Sequence, residues 1–351
     1  MNNPWIIYGA NGYTGIILAK EAEKKGLKPI LAGRSKQMIS SIAEDLGFEY
    51  VIFDLTDDHK VQDELENFNL ILNAAGPFKY TSEPIVRACL KTGTNYLDIT
   101  GEIPVFEQNF TYHEQAKAQD IAIISGVGFD VVPTDCIAKY VSEKVSNPIE
   151  LEIGIVGIGS PSRGTLKTMV EYLSNGRLIR RNGELLRNTG FKGSRSIQFR
   201  DKERTLVPVS WGDLATGYRT TGIPNITTYM PFSKPMASMI KGNISKNNGK
   251  WKNNVNGLKD WIDKYVNNPN EEARMKGRSY IWAQANNDKG DKKEAWLETM
   301  EGYRFTSISG IKAVEKIFEL EPKGALTPAL AFGEDFILEF PETKRYDSLQ
   351  K

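Results

Sequence analysis

The sequence predicts an α/β protein built on a doubly wound parallel sheet, and two observations lead to that prediction. Over residues 4–135, short apolar runs alternate with helical patterns, and the connections between them are short. The runs are apolar throughout, as is typical of parallel strands that helices cover on both faces. After about residue 136 this alternation stops. A second region with a different architecture is therefore expected to follow the first.

Strands and helices follow one another regularly in the first region. The predicted strands are Trp5–Tyr8, Pro29–Ala32, Tyr50–Phe53, Leu70–Asn73, Tyr96–Ile99 and Ile121–Ser125. Clear helical segments between them are Gly15–Lys25, Lys36–Leu46 and Glu83–Lys91. The first helix closes with Lys24 and Lys25 before Gly26, and cations followed by a glycine are typical of a helix C-terminus. Repeated strand–helix units of this kind predict one parallel sheet.

The second region is predicted to be a mixed α/β domain with its own sheet. Its predicted elements are a strand at Leu151–Ile158, a helix at Thr165–Leu173, an extended segment at Arg219–Met230, a hairpin of Ser279–Ala285 and Ala295–Met300, and a helix at Thr306–Leu320. The hairpin is expected to turn at Asp288–Asp291. Residues 240–275 are polar and rich in Asn and Lys, so we expect a mobile solvated lobe there rather than a nucleic-acid surface.

Composition excludes several functional classes. The chain has 351 residues, enough for two domains with proper cores, and its net charge of +1 steers it neither to nucleic acid nor to an acidic membrane. Its two cysteines and two histidines show no zinc-type spacing, so we expect no disulfide and no metal. No apolar run approaches the roughly 20 residues that span a bilayer, and no signal peptide is evident. We therefore expect a cytoplasmic protein.

A glycine-rich segment lies between the first strand and the first helix. It consists of Gly9, Ala10, Asn11, Gly12, Tyr13, Thr14 and Gly15. In such a strand–turn–helix setting the first glycine permits a tight turn, the second lets the backbone approach a phosphate, and the third lets the helix pack close to the sheet. The helix N-terminus then offers unpaired N–H groups to a pyrophosphate. The segment predicts a dinucleotide-binding Rossmann domain, with an unliganded glycine turn as the alternative.

The ends of the second and third strands indicate which nucleotide binds. Arg34 and Ser35 stand where an NAD-binding chain would carry an acid for the ribose 2′-hydroxyl. A guanidinium suits a 2′-phosphate by charge and by bidentate geometry, so we expect NADP(H) rather than NAD(H). After the third strand, Asp54 and Leu55 are expected near the adenine. The alternative for Asp54 is that it caps the helix that follows.

Candidates for contact with the nicotinamide and the substrate lie after the later strands. Small residues would let the loop after the fourth strand pass close to the nicotinamide ribose. That loop consists of Ala74, Ala75, Gly76, Pro77 and Phe78. Tyr96 and Asp98 are two apart and share one face of the fifth strand, which makes them catalytic candidates. Glu102 and Asp130 follow the fifth and sixth strands. Capping of backbone N–H groups is the alternative role for these carboxylates.

The order of the motifs along the chain carries a family resemblance. The segments concerned are Gly9–Gly15, Leu31–Ser35, Asn73–Phe78, Tyr96–Glu102, Gly128–Asp135, Ser162–Thr165, Pro208–Asp213, Thr221–Asn225 and Gly324–Ala329. Together they resemble the saccharopine dehydrogenase-like (saccharopine reductase-like) oxidoreductases. The later segments are similar to the subgroup that includes bacterial trans-acting enoyl reductases.

The resemblance implies a nucleotide domain, residues 1–135 plus 323–351, interrupted by an inserted α/β domain at residues 136–322. The last helix, at about 324–331, would return to the first domain. The substrate, a small or carrier-bound molecule, would lie between the domains and face the nicotinamide. Arg163 of the inserted domain would hold a substrate carboxylate or the cofactor phosphates, with a structural ion pair as the alternative. The inserted domain is also the expected surface for a homodimer.

The implied function is hydride transfer from NADP(H) to a C=N or C=C bond. No cluster of arginines is placed to grip an amino-dicarboxylate, so saccharopine itself is not the expected substrate. Two alternatives remain open. Tyr140 and Lys144 form a Tyr-x-x-x-Lys pair with Ser125 upstream, as in short-chain dehydrogenases, where the lysine lowers the pKa of the phenol. The protein could also be a catalytically silent NADP-binding sensor.

Overall fold

Two β-sheets organise the chain in a computed structural model, which describes residues 3–157, 161–167, 177–188, 193–231 and 255–349. The strands are β1 (Trp5–Tyr8), β2 (Ile30–Gly33), β3 (Tyr50–Ile52), β4 (Leu70–Asn73), β5 (Asn95–Asp98), β6 (Ala122–Ile124), β7 (Glu150–Gly157), β8 (Arg177–Arg181), β9 (Glu184–Asn188), β10 (Arg195–Gln198), β11 (Glu203–Val209), β12 (Asn225–Pro231), β13 (Arg278–Asn286), β14 (Lys292–Met300), β15 (Gly324–Leu326) and β16 (Lys344–Tyr346).

Helices connect these strands and cover the sheets. They are α1 (Tyr13–Lys24), α2 (Lys36–Leu46), α3 (Asp58–Leu65), α4 (Phe78–Thr92), α5 (Ile103–Phe110), α6 (His113–Ala118), α7 (Val132–Ser142), α8 (Asp213–Thr221), α9 (Val255–Tyr265), α10 (Glu271–Lys276), α11 (Gly302–Leu320) and α12 (Pro328–Phe332), with a 3₁₀ turn at Phe336–Glu339. Residues 163–167 are also helical. The remainder of the helix predicted at Thr165–Leu173 lies outside the described residues.

The first sheet is the predicted doubly wound parallel sheet. Its order is β3-β2-β1-β4-β5-β6-β15, and every neighbouring pair is parallel. The first six strands follow the dinucleotide-binding order 3-2-1-4-5-6. Ile6 and Ile7 point to opposite faces and are both fully buried, because α1 and α2 cover one face while α3 and α4 cover the other. Burial on both sides explains why the strands are apolar throughout.

The second region has its own sheet, as predicted, and that sheet mixes parallel and antiparallel strands. Strands β10-β11-β12-β7-β13-β14-β16 form its main path, and β8 and β9 attach beside β12. Strands β12 and β7 are parallel, whereas the β13–β14 hairpin is antiparallel. Helix α7 leaves the first sheet after β6 and packs Cys136, Ile137 and Val141 against the second sheet. This helix joins the two cores.

Three predictions of secondary structure differ from the fold. The segment Arg219–Met230 is not extended throughout, because its first residues belong to α8. Residues 324–326 form strand β15 rather than the start of a helix. Within the predicted lobe at 240–275, the described residues include α9 and α10, while 240–254 lie outside the described part.

The C-terminal third of the chain contributes to both cores. Helix α11 packs against α1, and a Cβ at Gly310 would lie 2.7 Å from Cδ2 of Leu18. Phe305, at the other end of α11, belongs to the core beneath the second sheet. Strand β15 extends the first sheet, whereas β16 pairs with β14 of the second. The domain boundaries at 135 and 323 stay a prediction.

No helix in the described ranges is long and apolar enough to span a membrane.

Candidate active site

The glycine segment forms a tight turn that no larger residue could make at two positions. Gly9 has φ of +80°, and a Cβ there would lie 2.7 Å from the backbone nitrogen of Ala75 in the loop after β4. A Cβ at Gly15 would lie 2.2 Å from the carbonyl oxygen of Gly9. The amide of Gly9 donates to the carbonyl of Ala32 at the end of β2 (2.8 Å). These contacts bring β1, β2 and β4 together around the turn.

Helix α1 begins at the turn with an open N-terminus. Gly12 is the N-cap of α1, and it has no side chain that could accept from the amides of the first helical turn. The amide of Ile16 donates to the carbonyl of Gly12 (2.9 Å), which closes that first turn. Those amides and the positive end of the helix dipole fit a phosphate group. Asn11 reaches across to α2, where its Nδ2 lies 3.6 Å from Sδ of Met38. The residues of the turn therefore fit the pyrophosphate of a dinucleotide.

The residues predicted to read the adenosine half lie along the same edge of the sheet. Arg34 is exposed directly after β2, and Ser35 is the N-cap of α2 without a side-chain capping bond. Oδ1 of Asp54 accepts from the amide of Thr56 (2.9 Å), and these bonds to Thr56 lower the pKa of Asp54. The N-cap of α3 is Asp57, which accepts from the amides of His59 and Lys60, so Asp54 does not cap that helix and instead bonds within the turn before it. Contact of Asp54 or the half-buried Leu55 with adenine stays a prediction.

The loop after β4 is fixed by its own hydrogen bonds. The amide of Ala75 donates to Oδ1 of Asn73 (3.0 Å), and Oγ1 of Thr81 donates to the carbonyl of Ala75 (2.6 Å). Glu102 accepts from the amides of Phe78 (2.9 Å) and Lys79 (3.0 Å). This carboxylate caps α4 and lets it begin at Phe78, ahead of the predicted Glu83. The capping alternative for Glu102 is confirmed.

Tyr96 and Asp98 share one face of β5, as predicted, and they contact each other. The Tyr96 hydroxyl donates to Oδ2 of Asp98 (2.9 Å), and Nδ2 of Asn73 donates to that hydroxyl (3.2 Å). Ser125 also donates to Oδ2 of Asp98 (2.9 Å). Both Tyr96 and Asp98 are completely buried. Their catalytic role stays a prediction, since the contacts that the structure shows are internal.

Asp98 also holds the loops that follow β5 and β6. Its Oδ1 accepts from the amides of Thr100 (3.0 Å) and Gly126 (2.8 Å), and its backbone carbonyl accepts from Gly126 and Val127. Burial raises the pKa of Asp98 to about 6, and these hydrogen bonds offset part of that rise. The carboxylate therefore positions the two loops that face the second domain.

Arg163 is half-buried and contacts the segment that follows α9. Its backbone amide donates to Oδ1 of Asn268 (3.0 Å), and its Nε donates to the carbonyl of Val266 (2.6 Å). Ser162 and Thr165, on either side of Arg163, both contact the hydroxyl of Tyr303 (2.7 and 2.6 Å). The ring of Tyr303 packs edge-on against Tyr13 of the glycine turn at 5.1 Å. Tyr303 thus links the segment that contains Arg163 to the glycine turn, and the role of Arg163 itself stays a prediction.

Asp130 was a secondary candidate in the sequence, and the structure gives it a distinctive position. It is half-buried after β6, and a Cβ at Gly101 would lie 2.9 Å from its Oδ2, so its carboxyl group lies beside the loop after β5. Nε1 of Trp211 donates to the backbone carbonyl of Asp130 (3.0 Å). Burial raises the pKa of Asp130 to about 6. A carboxyl group with this pKa can hold a proton near neutral pH.

The segment Trp211-Gly212-Asp213 covers Asp130 from the second domain. A Cβ at Gly212 would lie 2.8 Å from Phe106 and 3.3 Å from the carbonyl oxygen of Gly101. Asp213 is fully buried, and this burial raises its pKa well above the ordinary value, while Thr134 offsets part of the rise. The sequence motif at 211–213 was the available signal for this part of the site.

With these features in place, the chain can be compared with known proteins. Residues 5–124 match the family model of the saccharopine dehydrogenase NADP binding domain. This match confirms the predicted resemblance for that part of the chain and supports NADP(H) as the cofactor.

Curated relatives carry related names. A saccharopine dehydrogenase-like oxidoreductase of Bos taurus is 26% identical over 179 residues, which cover 45% of this chain and 42% of the relative. A trans-acting enoyl reductase of Mycobacterium ulcerans is 30% identical over 138 residues, covering 37% and 33% of the two chains. The matches thus span less than half of the length of these relatives. Both relatives are named as oxidoreductases or reductases.

A solved structure shares the fold over nearly the whole chain. Apo saccharopine dehydrogenase (L-Glu forming) of Saccharomyces cerevisiae superposes with a TM-score of 0.65 at 11% identity, covering 98% of this chain and 100% of the other. At that identity the likeness concerns the fold alone. It confirms the predicted fold class, a doubly wound parallel sheet beside a second α/β region.

The Tyr-x-x-x-Lys pair lies away from the NADP binding domain's nucleotide edge. The hydroxyl of Tyr140 donates to Oδ1 of Asp347 near the C-terminus (2.7 Å), and Arg345 stacks on its ring at 3.6 Å. Lys144 lies 4.3 Å from the centre of the same ring. Ser125 instead bonds Asp98. The structure does not bring Ser125 to Tyr140, so the short-chain arrangement is absent among the described contacts.

Among the residues that the structure describes, no group of three His, Cys, Asp or Glu side chains could hold a metal ion.

Proposed function

We propose that the protein is an NADP(H)-dependent oxidoreductase that reduces a C=N or C=C bond in a small or carrier-bound substrate. The observation that carries the proposal is the half-buried carboxyl group of Asp130, which lies after β6 at the same sheet edge as the glycine turn. Ligands of open α/β sheets bind beyond the carboxyl ends of the strands. Asp130 is therefore on the side where a substrate would meet the cofactor.

The chain's own residues have separate roles in this proposal. NADPH, when bound, supplies a hydride to the acceptor bond. Asp130 holds a proton at its carboxyl group and gives it to the atom of the substrate that becomes electron-rich. Protonated carboxyl groups serve as general acids when burial lifts their pKa towards the working pH. Asp130 thereby replaces Tyr96 and Asp98 as the preferred proton source.

Tyr96 and Asp98 act as positioning residues in this proposal. Asp98 ties the loop after β5 to the loop after β6, which leads to Asp130. Because both side chains are buried, their effect on turnover passes through the placement of those loops. This positioning role agrees with the alternative that Asp98 caps backbone N–H groups, and it gives Tyr96 and Asp98 an indirect effect on turnover.

Arg163 is the proposed contact for an anionic group of the substrate. Its Nε donates to the carbonyl of Val266, which fixes the orientation of the guanidinium. A carboxylate or a carrier phosphate would suit a guanidinium oriented in this way. A homodimer through the second domain and a cytoplasmic location remain predictions.

The test measures NADPH consumption with Asp130→Asn. Candidate acceptors are an enoyl thioester for the C=C bond and a preformed imine for the C=N bond. General acids contribute about 10²- to 10⁴-fold, so we expect turnover to fall by at least about 10²-fold. NADPH affinity should stay within about twofold, since Asp130 is not part of the glycine turn. Asp120→Asn is the matched control, because Asp120 is exposed and its φ of +54° suits Asn.

Two results would contradict the proposal. Equal turnover by the wild type and Asp130→Asn would remove Asp130 as proton donor. Tight NADPH binding without consumption of NADPH, for either acceptor class, would favour the silent sensor.

A further inference from the structure

The glycine turn has no cation of its own. Residues 9–15 contain no Lys or Arg, although a dinucleotide pyrophosphate carries two negative charges. The exposed Arg34 lies after β2, where a 2′-phosphate is expected. A helix dipole contributes little at an exposed terminus, so a guanidinium at the turn would add appreciably to affinity.

A guanidinium reaches the turn from the second domain. Nη1 of Arg274, on α10, donates to the hydroxyl of Tyr13 (3.1 Å) and to the carbonyl of Pro269 (3.0 Å). The Tyr13 hydroxyl also donates to that carbonyl (2.7 Å). Tyr13 is the first residue of α1, at the positive end of the helix. The guanidinium of Arg274 is therefore tied to the side chain of the residue that begins α1.

Arg274 has no anionic partner in the described part of the chain, unlike its neighbours. Lys276 pairs with Glu272, and Arg278 pairs with Glu342. Burial raises the pKa of Glu301, and the charge of Arg274 offsets part of that rise. Glu301 nevertheless accepts from the amides that begin α11 and makes no ion pair with Arg274. A half-buried guanidinium without a carboxylate leaves a place for an anionic ligand.

The position of Arg274 is fixed by the helix that carries it and by the contacts of the neighbouring aromatic side chains. Asn270 caps α10 by accepting from the amide of Ala273 (2.9 Å). Tyr303 packs against Tyr13 and bonds the segment that contains Arg163. Tyr303 thus connects the segment of Arg163 to Tyr13, and Arg274 contacts the same Tyr13.

We propose that Arg274 is a cofactor-binding residue, supplied by the second domain, that contacts the pyrophosphate of NADP(H). The bidentate fork of arginine suits two phosphate oxygens, and the bonds of Nη1 to Tyr13 and Pro269 hold the guanidinium beside the side chain of Tyr13, the first residue of α1. The inference depends on the dinucleotide site and not on the identity of the hydride acceptor. It also makes cofactor affinity depend on contact between the two domains.

The experiment measures ligand binding by fluorescence or calorimetry with Arg274→Gln. Three ligands are compared: NADPH, NADH and adenosine 2′-monophosphate, which has the 2′-phosphate and no pyrophosphate. We expect a loss of about tenfold or more for NADPH and NADH, the scale of one charge-assisted hydrogen bond, and no change for the monophosphate. Arg274→Lys should keep part of the affinity, and inorganic pyrophosphate should compete with NADPH less well for Arg274→Gln than for the wild type.

Lys276→Gln is the matched control, because it makes the same charge change on the same helix at a highly exposed position. It should leave all three affinities unchanged. Tyr13→Phe removes the hydroxyl that holds Arg274 but keeps the guanidinium. This variant therefore separates the effect of the Tyr13 hydroxyl from the effect of the positive charge of Arg274. An unchanged NADPH affinity in folded Arg274→Gln would overturn the proposal, as would an equal loss for the monophosphate. Turnover is not measured, so the result is independent of the proposed hydride acceptor.

Discussion

The Tyr96 hydroxyl donates to Oδ2 of Asp98 at 2.9 Å, and neither side chain reaches solvent. Asp98 also accepts from Ser125 and from two backbone amides. Asp98→Ala should lower the free energy of unfolding by about 3 to 5 kcal/mol, because four buried donors lose their acceptor at about 1 kcal/mol or more each. Asp98→Asn keeps an acceptor for the amides and should cost less. Urea denaturation measures both, and equal losses would show that the amides do not depend on residue 98.

The same carboxyl group predicts a pH dependence. Burial raises the pKa of Asp98 from 3.8 to about 6 in the folded chain, so the folded state binds the proton more tightly than the unfolded state. The resulting contribution of Asp98 to the free energy of unfolding is complete at a pH below its pKa in the unfolded chain. It is lost as the pH rises through its pKa in the folded chain. Asp98→Asn should therefore flatten the stability profile between about pH 4 and pH 6. A profile with unchanged slope would contradict this assignment.

Two glycines of the turn should respond differently to alanine. Gly9→Ala requires a positive φ and places Cβ 2.7 Å from the backbone of Ala75, so it should lower stability by about 2 kcal/mol or more. Gly12 has φ of −76°, and its Cβ would lie 3.3 Å from the carbonyl of Gly9. Gly12→Ala should fold and weaken NADPH by about tenfold, since the methyl group obstructs the approach to phosphate. Thermal unfolding and NADPH titration distinguish the two. Normal NADPH affinity in Gly12→Ala would place the phosphates elsewhere.

Arg34 is predicted to determine the choice between the two nicotinamide cofactors. Arg34→Ala should weaken NADPH by about 1.5 to 3 kcal/mol, the scale of a charged hydrogen bond, and leave NADH nearly unchanged. Lys36→Ala, two residues further on the exposed side of α2, is the control. Fluorescence titration with both cofactors gives the answer. Equal losses for NADPH and NADH would remove Arg34 from the 2′-phosphate site.

The proposed acid should control the pH profile of turnover. The pKa of Asp130 is raised by burial to about 6, and reduction needs its protonated form. Turnover should therefore fall as the pH rises through about 6, and Asp130→Asn should abolish that limb of the profile. Measurement of kcat for the wild type and variant over this range checks the assignment. A limb that persists in the variant would belong to another group.

Tyr140 should matter for stability and not for chemistry. Its hydroxyl bonds Asp347 at 2.7 Å, so Tyr140→Phe should lower stability by about 0.5 to 1.5 kcal/mol. Turnover per folded molecule should stay within about twofold, because the phenol is engaged near the C-terminus. Loss of turnover with intact NADPH binding would restore the short-chain dehydrogenase alternative.

Local elements were predictable, and elements that depend on distant contacts were less so. The strand, glycine turn and helix at residues 5–24 follow from apolar runs and three glycines in sequence. Helix α8 ends at Thr221, although the sequence predicts an extended segment from Arg219. It is helical because it packs on the second sheet, where a Cβ at Gly217 would lie 3.4 Å from Leu151 and 3.5 Å from Ile226. Such tertiary packing overrides weak local propensity.

By itself the sequence determined the dinucleotide half of the protein. Its motifs are contiguous, and each follows a strand of a parallel sheet, so topology alone brings them to one edge. Only the tertiary structure decided which polar groups meet across the cleft. Arg274 and Tyr13 are 261 positions apart, and local periodicity carries no information about such a pair. The burial that raises the pKa of Asp98 and Asp130 likewise arises only when distant segments pack around them.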